Sequence, residues 1–202
     1  MSRRSTLAAV LASVLLLVGC VPQTRDEWTP PAQTASPATA ATTMVSGQNP
    51  LCRPAPAKPA VEGGLPDLTF DCLGGGGQAS LTGLAQGRPV VINIWAQWCG
   101  PCRHEAPVLS AVSRQAVGKV DFWGIDLTDP RPDLAIEFAK QAGWDYPQLA
   151  DPEGLIKTEA PAPPTTLFVA ADGRVVSRHF GVLTTEKQLK ELIGKHLGVT
   201  LE

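Results

Sequence analysis

The sequence has no run of basic residues and no excess of positive charge. Its 17 Lys and Arg are outnumbered by 19 Asp and Glu, which gives a formal net charge of -2 over 202 residues. Proteins that hold nucleic acid or anionic lipid by electrostatic attraction carry basic patches. We therefore expect neither kind of partner. The sequence also has no internal repeat.

No apolar run is long enough to cross a bilayer comfortably. The stretch from Leu7 to Val18 follows Arg3 and Arg4 and has the form of a secretory h-region. We expect residues 1–20 to be an export signal. Both the Sec and the twin-arginine routes stay open, because the basic pair matches the twin-arginine pattern only in part.

The end of this stretch, Leu17-Val18-Gly19-Cys20, resembles a bacterial lipobox. In that motif small residues precede a cysteine that is lipidated and becomes the first residue after cleavage. The resemblance implies an extracytoplasmic protein anchored to the cell membrane through Cys20. An ordinary signal peptide that happens to contain a cysteine is the alternative.

Residues 21–60 have few large apolar side chains. Trp28, Met44, Val45 and Leu51 stand alone among Pro, Ala, Thr, Ser and Gln. Such a composition cannot bury enough apolar surface to offset its conformational entropy, so we expect a disordered tether. Residues 61–202 are enough for one domain with its own core.

Strand and helix patterns alternate in this domain. Continuous apolar or β-branched runs predict strands over 90–96, 121–126, 166–169 and 175–180, with weaker ones over 68–72 and 79–81. Helical patterns cover 99–117, 132–142 and 184–197. Alternation of this kind predicts an α/β fold, a central mixed β-sheet with helices on both faces.

The pattern Cys99-Gly100-Pro101-Cys102 lies where the strand over 90–96 meets the following helix. Unpaired N–H groups and the helix dipole favour the thiolate of a cysteine at a helix start, so Cys99 is the expected nucleophile. Cys102 lies close enough to close a disulfide with it. The pattern predicts thiol–disulfide exchange with no cofactor. A zinc site would need a second Cys-x-x-Cys, and haem attachment would need His in place of Arg103.

The segment from Trp95 to Pro107, with Trp98 before the first cysteine, closely resembles the active site of the thioredoxin superfamily. Within it the chain looks most like the extracytoplasmic TlpA and ResA branch. That likeness continues through Phe122–Asp126, Tyr146-Pro147, Leu149–Gly154, Pro164–Val169, Asp172-Gly173 and Gly181–Thr184. The resemblance implies a thioredoxin-like three-layer sandwich and a monomeric thiol–disulfide oxidoreductase. It would exchange disulfides with exported proteins and with a membrane or extracytoplasmic redox partner.

The resemblance also implies roles for single residues. Pro164 matches the family's cis-proline, against which a substrate strand pairs, and Pro163 is a rival for that position. Trp98, Gly100, Pro101 and Pro163 would contact the substrate.

Glu105 resembles the branch's carboxylate beside the second thiol. It would take the place of the buried aspartate of cytoplasmic thioredoxin, where this chain has Asn93, which cannot titrate. A solvated Glu105 on the helix surface is the alternative. His104, His179 and His196 are expected at the surface.

Two further cysteines remain, Cys52 and Cys72. Persistent free thiols are unusual in an exported protein, so a structural disulfide between them is expected, with a second redox pair as the alternative.

Three rival functions stay open. A disulfide-forming oxidase shares the fold, although Gly100-Pro101 and Glu105 resemble the reducing members, which pass electrons to clients such as apocytochrome c. A peroxiredoxin-like peroxidase would carry Pro-x-x-x-Thr-x-x-Cys, which does not precede Cys99. A copper-binding carrier, with His179 as a further ligand, would usually have Cys-x-x-x-Cys spacing.

Overall fold

The computed structural model describes residues 53–202. The predicted signal, the lipidation site Cys20, most of the tether and Cys52 lie outside the described residues. In chain order the strands and helices are β1 (Thr69–Cys72), β2 (Gln78–Ser80), β3 (Val90–Trp95), α1 (Gly100–Gln115), β4 (Asp121–Leu127), α2 (Pro132–Gln141), β5 (Gln148–Asp151), β6 (Thr165–Val169), β7 (Val175–Phe180) and α3 (Glu186–Leu197). In this part of the chain no helix is long and apolar enough to cross a membrane.

The strands form one mixed sheet in the order β2-β1-β5-β4-β3-β6-β7. β3 pairs in parallel with β4, and β4 pairs in parallel with β5, while the other neighbours are antiparallel. β3 lies inside the sheet, and all six of its residues are buried. This explains why every residue of β3 except Asn93 is apolar, because a strand covered on both faces needs apolar side chains on both.

Each face of the sheet has its own core. α1, α2 and α3 pack on one face, around Trp95, Phe122 and Phe168. The other face is covered by two single-turn 3-10 helices, Leu81–Gly83 and Leu155–Thr158, and by the chain around Ala55. The α/β three-layer architecture is therefore confirmed. The sequence did not predict that 3-10 turns, and not α-helices, cover the second face.

The chain around Ala55 belongs to the domain, although its composition places it in the tether. Ala55 is buried, forms a parallel bridge with Ala79, and accepts a hydrogen bond from the Ser80 N–H at 2.8 Å. A Cβ on Gly83 would lie 2.0 Å from the Pro56 carbonyl oxygen, so the two segments are in close contact. Backbone pairing at a sheet edge needs no large side chains, which is why composition misses it.

Candidate active site

Cys99 and Cys102 are joined by a disulfide bond at the start of α1. Cys99 is the N-cap residue, and its sulfur accepts a hydrogen bond from the Cys102 N–H at 3.2 Å. Cys99 is 4% exposed and Cys102 is 0% exposed. The outer sulfur is therefore that of Cys99, and it lies at the end of the helix where N–H groups and the dipole stabilise negative charge.

The loop before Cys99 is held by hydrogen bonds from both sides. The Gln97 N–H donates to Asp129 Oδ2 at 2.9 Å, and Arg103 donates to the Gln97 carbonyl oxygen at 2.6 Å. Asp129 lies beyond the end of β4, 32 residues along the chain from Gln97. Sequence reasoning missed it, because only the parallel pairing of β3 with β4 brings the two loops together.

Asp126 is a buried carboxyl group at the end of β4, in register with Trp95 of β3. Its burial, followed by the negative charge of Asp129, raises the pKa of Asp126 to about 8. Protonation of Asp126 removes a negative charge from the buried end of β4.

Glu105 lies one helical turn after Cys102 and is 0% exposed. Asn93 Nδ2 donates to its Oε1 at 2.7 Å, and the Leu183 N–H donates to its Oε2 at 3.2 Å. Burial raises the pKa of Glu105 to about 7, although the bonds from Leu183 and Asn93 act in the opposite sense. The surface alternative for Glu105 is wrong. The group can gain or lose a proton near neutral pH.

Asn93 has a role that sequence reasoning did not assign. The amide cannot titrate, but it holds the carboxyl group that can. The strand pattern predicted that Asn93 lies on β3. No sequence pattern predicted its contact with Glu105.

An apolar groove adjoins the disulfide. It measures ≈ 620 Å³ and is lined by Gly100, Pro101, His104, Val182 and Thr184. Trp98, directly before Cys99, is 52% exposed, and Phe180, which pairs with Thr165 at the start of β6, is 60% exposed. Gly100 and Pro101 are both exposed.

The peptide bond between Pro163 and Pro164 is cis, as the resemblance predicted for Pro164. Pro164 is buried and Pro163 is half-buried. β6 begins at the next residue, Thr165, which pairs with Ile94 near the end of β3. The cis-proline thus lies at the same end of the sheet as the disulfide.

The remaining predicted residues have different outcomes. Cys72 is buried and disulfide-bonded. Its predicted partner Cys52 lies outside the described residues, so the pairing stays a prediction. His104 is exposed, as predicted, whereas His179 and His196 are half-buried, and the Nε2 of His179 is fully buried. Among residues 53–202 no three His, Cys, Asp or Glu side chains converge as metal ligands do.

A family model described as Redoxin matches residues 60–193. The chain belongs to the Redoxin family. This Redoxin protein is 36% identical over 99 residues to the thiol:disulfide interchange protein DsbE homolog of Paracoccus denitrificans, across 48% of this chain and 52% of that protein. It is 33% identical over 119 residues to the thiol:disulfide interchange protein DsbE of Escherichia coli K12, across 56% of this chain and 62% of that protein. The chain therefore spans 52% and 62% of the length of these relatives.

Solved structures agree with the family assignment. A secreted Mycobacterium tuberculosis disulfide oxidoreductase homologous to DsbE has a TM-score of 0.55 at 27% identity, over 66% of this chain and 96% of that one. A secreted thiol-disulfide isomerase from Corynebacterium glutamicum has a TM-score of 0.56 at 28% identity, over 66% and 83%. The thioredoxin-like fold and the place of this Redoxin protein in the thioredoxin superfamily are confirmed.

Proposed function

We propose that this protein is a thiol–disulfide oxidoreductase that exchanges disulfides with exported proteins. The observation that carries the proposal is the unequal burial of the disulfide at the start of α1, with a buried titratable carboxyl group one turn beyond the inner sulfur. The names of the relatives, thiol:disulfide interchange proteins, support the same activity.

The reduced protein reduces a client in two exchange steps. The Cys99 thiolate attacks a client disulfide, forms a mixed disulfide and releases one client sulfur as a thiolate. The Cys102 thiol then loses its proton to the Glu105 carboxylate and attacks the Cys99 sulfur. The Cys99–Cys102 bond forms, the second client sulfur leaves as a thiolate, and two electrons have passed to the client. The same steps in reverse oxidise a client.

The client would lie in the groove beside Cys99 with its backbone against Pro163. Proline has no N–H, so Pro163 and Pro164 can offer a client only carbonyl oxygens. The Pro164 carbonyl accepts a hydrogen bond from Gly181 at 3.0 Å. We therefore assign the Pro163 carbonyl as the backbone acceptor for a client N–H, with Trp98 contacting the client's apolar side chains.

The activity is tested by insulin reduction with the mature protein, using the Cys99→Ser/Cys102→Ser double variant as the control. We expect turnover that the double variant lacks. Absence of turnover together with tight copper binding by the reduced protein would favour a carrier and overturn the proposal. Peroxide consumption without disulfide exchange would favour a peroxidase and overturn it as well.

The direction we propose is reduction of clients. The dipeptide Gly100-Pro101 between the cysteines supports this direction, because it helps to set how strongly the helix start stabilises the Cys99 thiolate. A less stabilised thiolate makes the reduced form the better electron donor. Equilibration with glutathione measures the reduction potential of the Cys99–Cys102 pair. A reduction potential near the thioredoxin value of about -270 mV supports a reductase, and one near the DsbA value of about -120 mV favours an oxidase.

The proposed location is the outer face of the cell membrane, with Cys20 lipidated after signal cleavage. Cys20→Ser should release the protein from membranes, and full membrane retention of this variant would contradict a lipid anchor.

We also propose the Cys52–Cys72 disulfide. Mild reduction followed by alkylation should label Cys99 and Cys102 first, because structural disulfides have lower potentials than catalytic ones. A free Cys52 thiol in the unreduced protein would contradict the pairing.

A further inference from the structure

A row of polar residues crosses the sheet on the face that carries α1. The register places Gln148 beside Gly124, Gly124 beside Asn93, Asn93 beside Thr166, and Thr166 beside His179. Residues in register point to the same face of a sheet, with Cβ atoms about 5 Å apart. We call Asn93, Thr166 and His179 the polar row. It runs from the centre of the sheet to the edge strand β7.

Each side chain of the polar row has a polar atom without a hydrogen-bond partner among the described residues. Within residues 53–202, Asn93 Oδ1, Thr166 Oγ1 and His179 Nε2 are buried without a hydrogen-bond partner. An unpaired buried polar atom is destabilising, and native proteins commonly satisfy such atoms with an internal water that has about 2–4 polar partners. Three acceptor or donor atoms in adjacent strands are the partners that such a water requires.

The Gln148 side chain differs from the polar row, because its hydrogen bonds are made. Trp95 Nε1 donates to Gln148 Oε1 at 2.9 Å, and Gln148 Nε2 donates to the Tyr146 carbonyl oxygen at 3.0 Å. On the side of the sheet from β3 to β7, the buried side-chain atoms without partners in residues 53–202 are those of the polar row. Trp123 Nε1, Asp126 Oδ1 and Tyr146 Oη, on or beside β4 and β5, also lack partners.

Glu105 is joined to the polar row by the 2.7 Å hydrogen bond that Asn93 donates to its carboxyl group. Glu105 and Cys102 are both 0% exposed, so a proton on the carboxyl group has no direct route to bulk water. Thr166 is also 0% exposed, whereas His179 is half-buried on the edge strand. The polar row therefore connects the buried carboxyl group with a titratable ring that reaches solvent.

We propose that Thr166 and His179, with an internal water, carry protons between Glu105 and solvent in each catalytic cycle. This rests on the proposed function. After Cys102 has given its proton to Glu105, the carboxyl group returns it through the water and the Thr166 hydroxyl to His179 Nε2. The imidazolium releases one proton to solvent, and Glu105 is again a carboxylate. The neutral ring then returns to the tautomer with its hydrogen on Nδ1, so that Nε2 can accept a proton in the next cycle. No electrons move in these steps.

Two other titratable groups lie near this path and do not offer an exit. Tyr146 interacts electrostatically with Glu105, but burial raises the pKa of its hydroxyl well above the usual value, so it keeps its proton. His196 of α3 packs on Phe168, two residues beyond Thr166 on β6, and burial lowers its pKa. Neither belongs to the polar row.

The test measures the rate constant for resolution of the mixed disulfide by Cys102 from pH 5 to 9, in dilute buffer that does not carry protons efficiently. We expect His179→Ala and Thr166→Val to slow it about tenfold, less than the full contribution of a general base, since Glu105 remains. Added imidazole should restore the rate of His179→Ala. The matched control is Ser177→Ala, two residues earlier on the same face of β7, and it should behave as wild type.

The reduction potential separates this proposal from a structural effect. A proton path changes rates and leaves the equilibrium potential of Cys99–Cys102 unchanged, so the variants should match wild type within error. Wild-type rates in His179→Ala at every pH, or slow rates that imidazole does not restore, would overturn the proposal. If the wild-type protein itself showed no disulfide exchange, that result would instead overturn the proposed function.

Discussion

At the residue scale, Asn93 and Glu105 act together beside the Cys102 thiol, at a site where a single buried carboxylate could accept its proton. The amide supplies a fixed hydrogen bond, and the carboxyl group supplies the proton exchange. The environment sets the pKa: burial raises it, and the two N–H donors limit the rise. A group that titrates near neutral pH is suited to general acid–base work there.

Glu105→Gln should remove the pH dependence of resolution near neutrality. In the wild type the rate constant should rise through pH about 7 as the carboxyl group ionises and can accept the Cys102 proton. The variant should be slower above that pH by about 10²-fold, a typical contribution of a general base. Stopped-flow tryptophan fluorescence can follow the step.

Two controls sharpen this measurement. Asn93→Ala removes a bond that lowers the pKa of Glu105, so its profile should keep an inflection and shift it to higher pH. Glu137→Gln changes an exposed carboxylate on α2 and should leave the profile unaltered. Identical profiles for Glu105→Gln and wild type would show that the carboxyl group takes no proton.

The unequal burial of the cysteines predicts unequal trapping of clients. Cys102→Ser should accumulate a mixed disulfide through Cys99, the more accessible of the two at 4% exposure, whereas Cys99→Ser should trap none, since Cys102 is fully buried. Non-reducing gel shift and mass mapping of the linked cysteine give the readout. Equal yields from the two variants would reverse the assignment of nucleophile and resolving thiol.

The sequence was sufficient for the residues of the site that lie close together in the chain. Cys99, Cys102 and the helix start are one local motif, so their chemistry can be stated without a structure. The environment of Glu105 depends on Leu183, 78 residues further on, and that of the Cys99 loop on Asp129. Such contacts follow from strand order and packing, which no local pattern encodes.

At the element scale, β4 shows how one missing side chain permits a contact between its neighbours. Gly124 lies between Trp95 of β3 and Gln148 of β5, which share a hydrogen bond across it. A Cβ at Gly124 would lie 1.8 Å from Gln148 Oε1 and 2.9 Å from Trp95 Nε1. The glycine is required by this close approach.

Gly124→Ala should therefore destabilise the protein by about 1–3 kcal/mol, the usual cost of overpacking a core. The displaced Gln148 side chain would also lose its bond to Trp95. Urea unfolding followed by fluorescence measures the change. Gly100→Ala is the matched control, because a Cβ there meets nothing within 4 Å. A Gly124→Ala variant as stable as Gly100→Ala would contradict the packing argument.

Most elements could be predicted from sequence to within two residues at each end, because apolar periodicity is strong in β3, β4 and the helices. β5 could not. Gln148–Asp151 is short and mixed in polarity, and it is a strand because β4 and β1 pair with it on its two sides. The two 3-10 turns were missed for a similar reason, since they are fixed by the sheet face that they cover.

At the scale of the whole molecule, two buried carboxyl groups couple folding to pH. Burial raises the pKa of Glu105 from 4.5 to about 7 and that of Asp126 from 3.8 to about 8. Over these ranges the folded protein holds protons that the unfolded chain has lost. The stability contributed by each group is therefore complete below its unfolded pKa and is lost as pH rises through its folded pKa.

The free energy of unfolding of the oxidised protein should accordingly fall between pH about 3.8 and about 8. The Glu105 contribution is on the order of 3 kcal/mol. Urea titrations at several pH values measure the slope, and both Glu105→Gln and Asp126→Asn should flatten it. His196, whose pKa is lowered, acts in the opposite sense in all three proteins. Equal slopes in wild type and both variants would contradict the linkage.

The bridge between Ala55 and β2 bears on how copies of the protein behave when they are crowded together. β2 is the outermost strand on its side of the sheet, and an open strand edge is a template for pairing with a second copy. Ala55 occupies this edge, and the prolines on either side of it, Pro54 and Pro56, have no N–H with which to extend the pairing outward. Lipid anchoring would confine the molecules to two dimensions and raise their local concentration. The segment between the proposed anchor and the domain would then also keep neighbouring sheets from joining edge to edge.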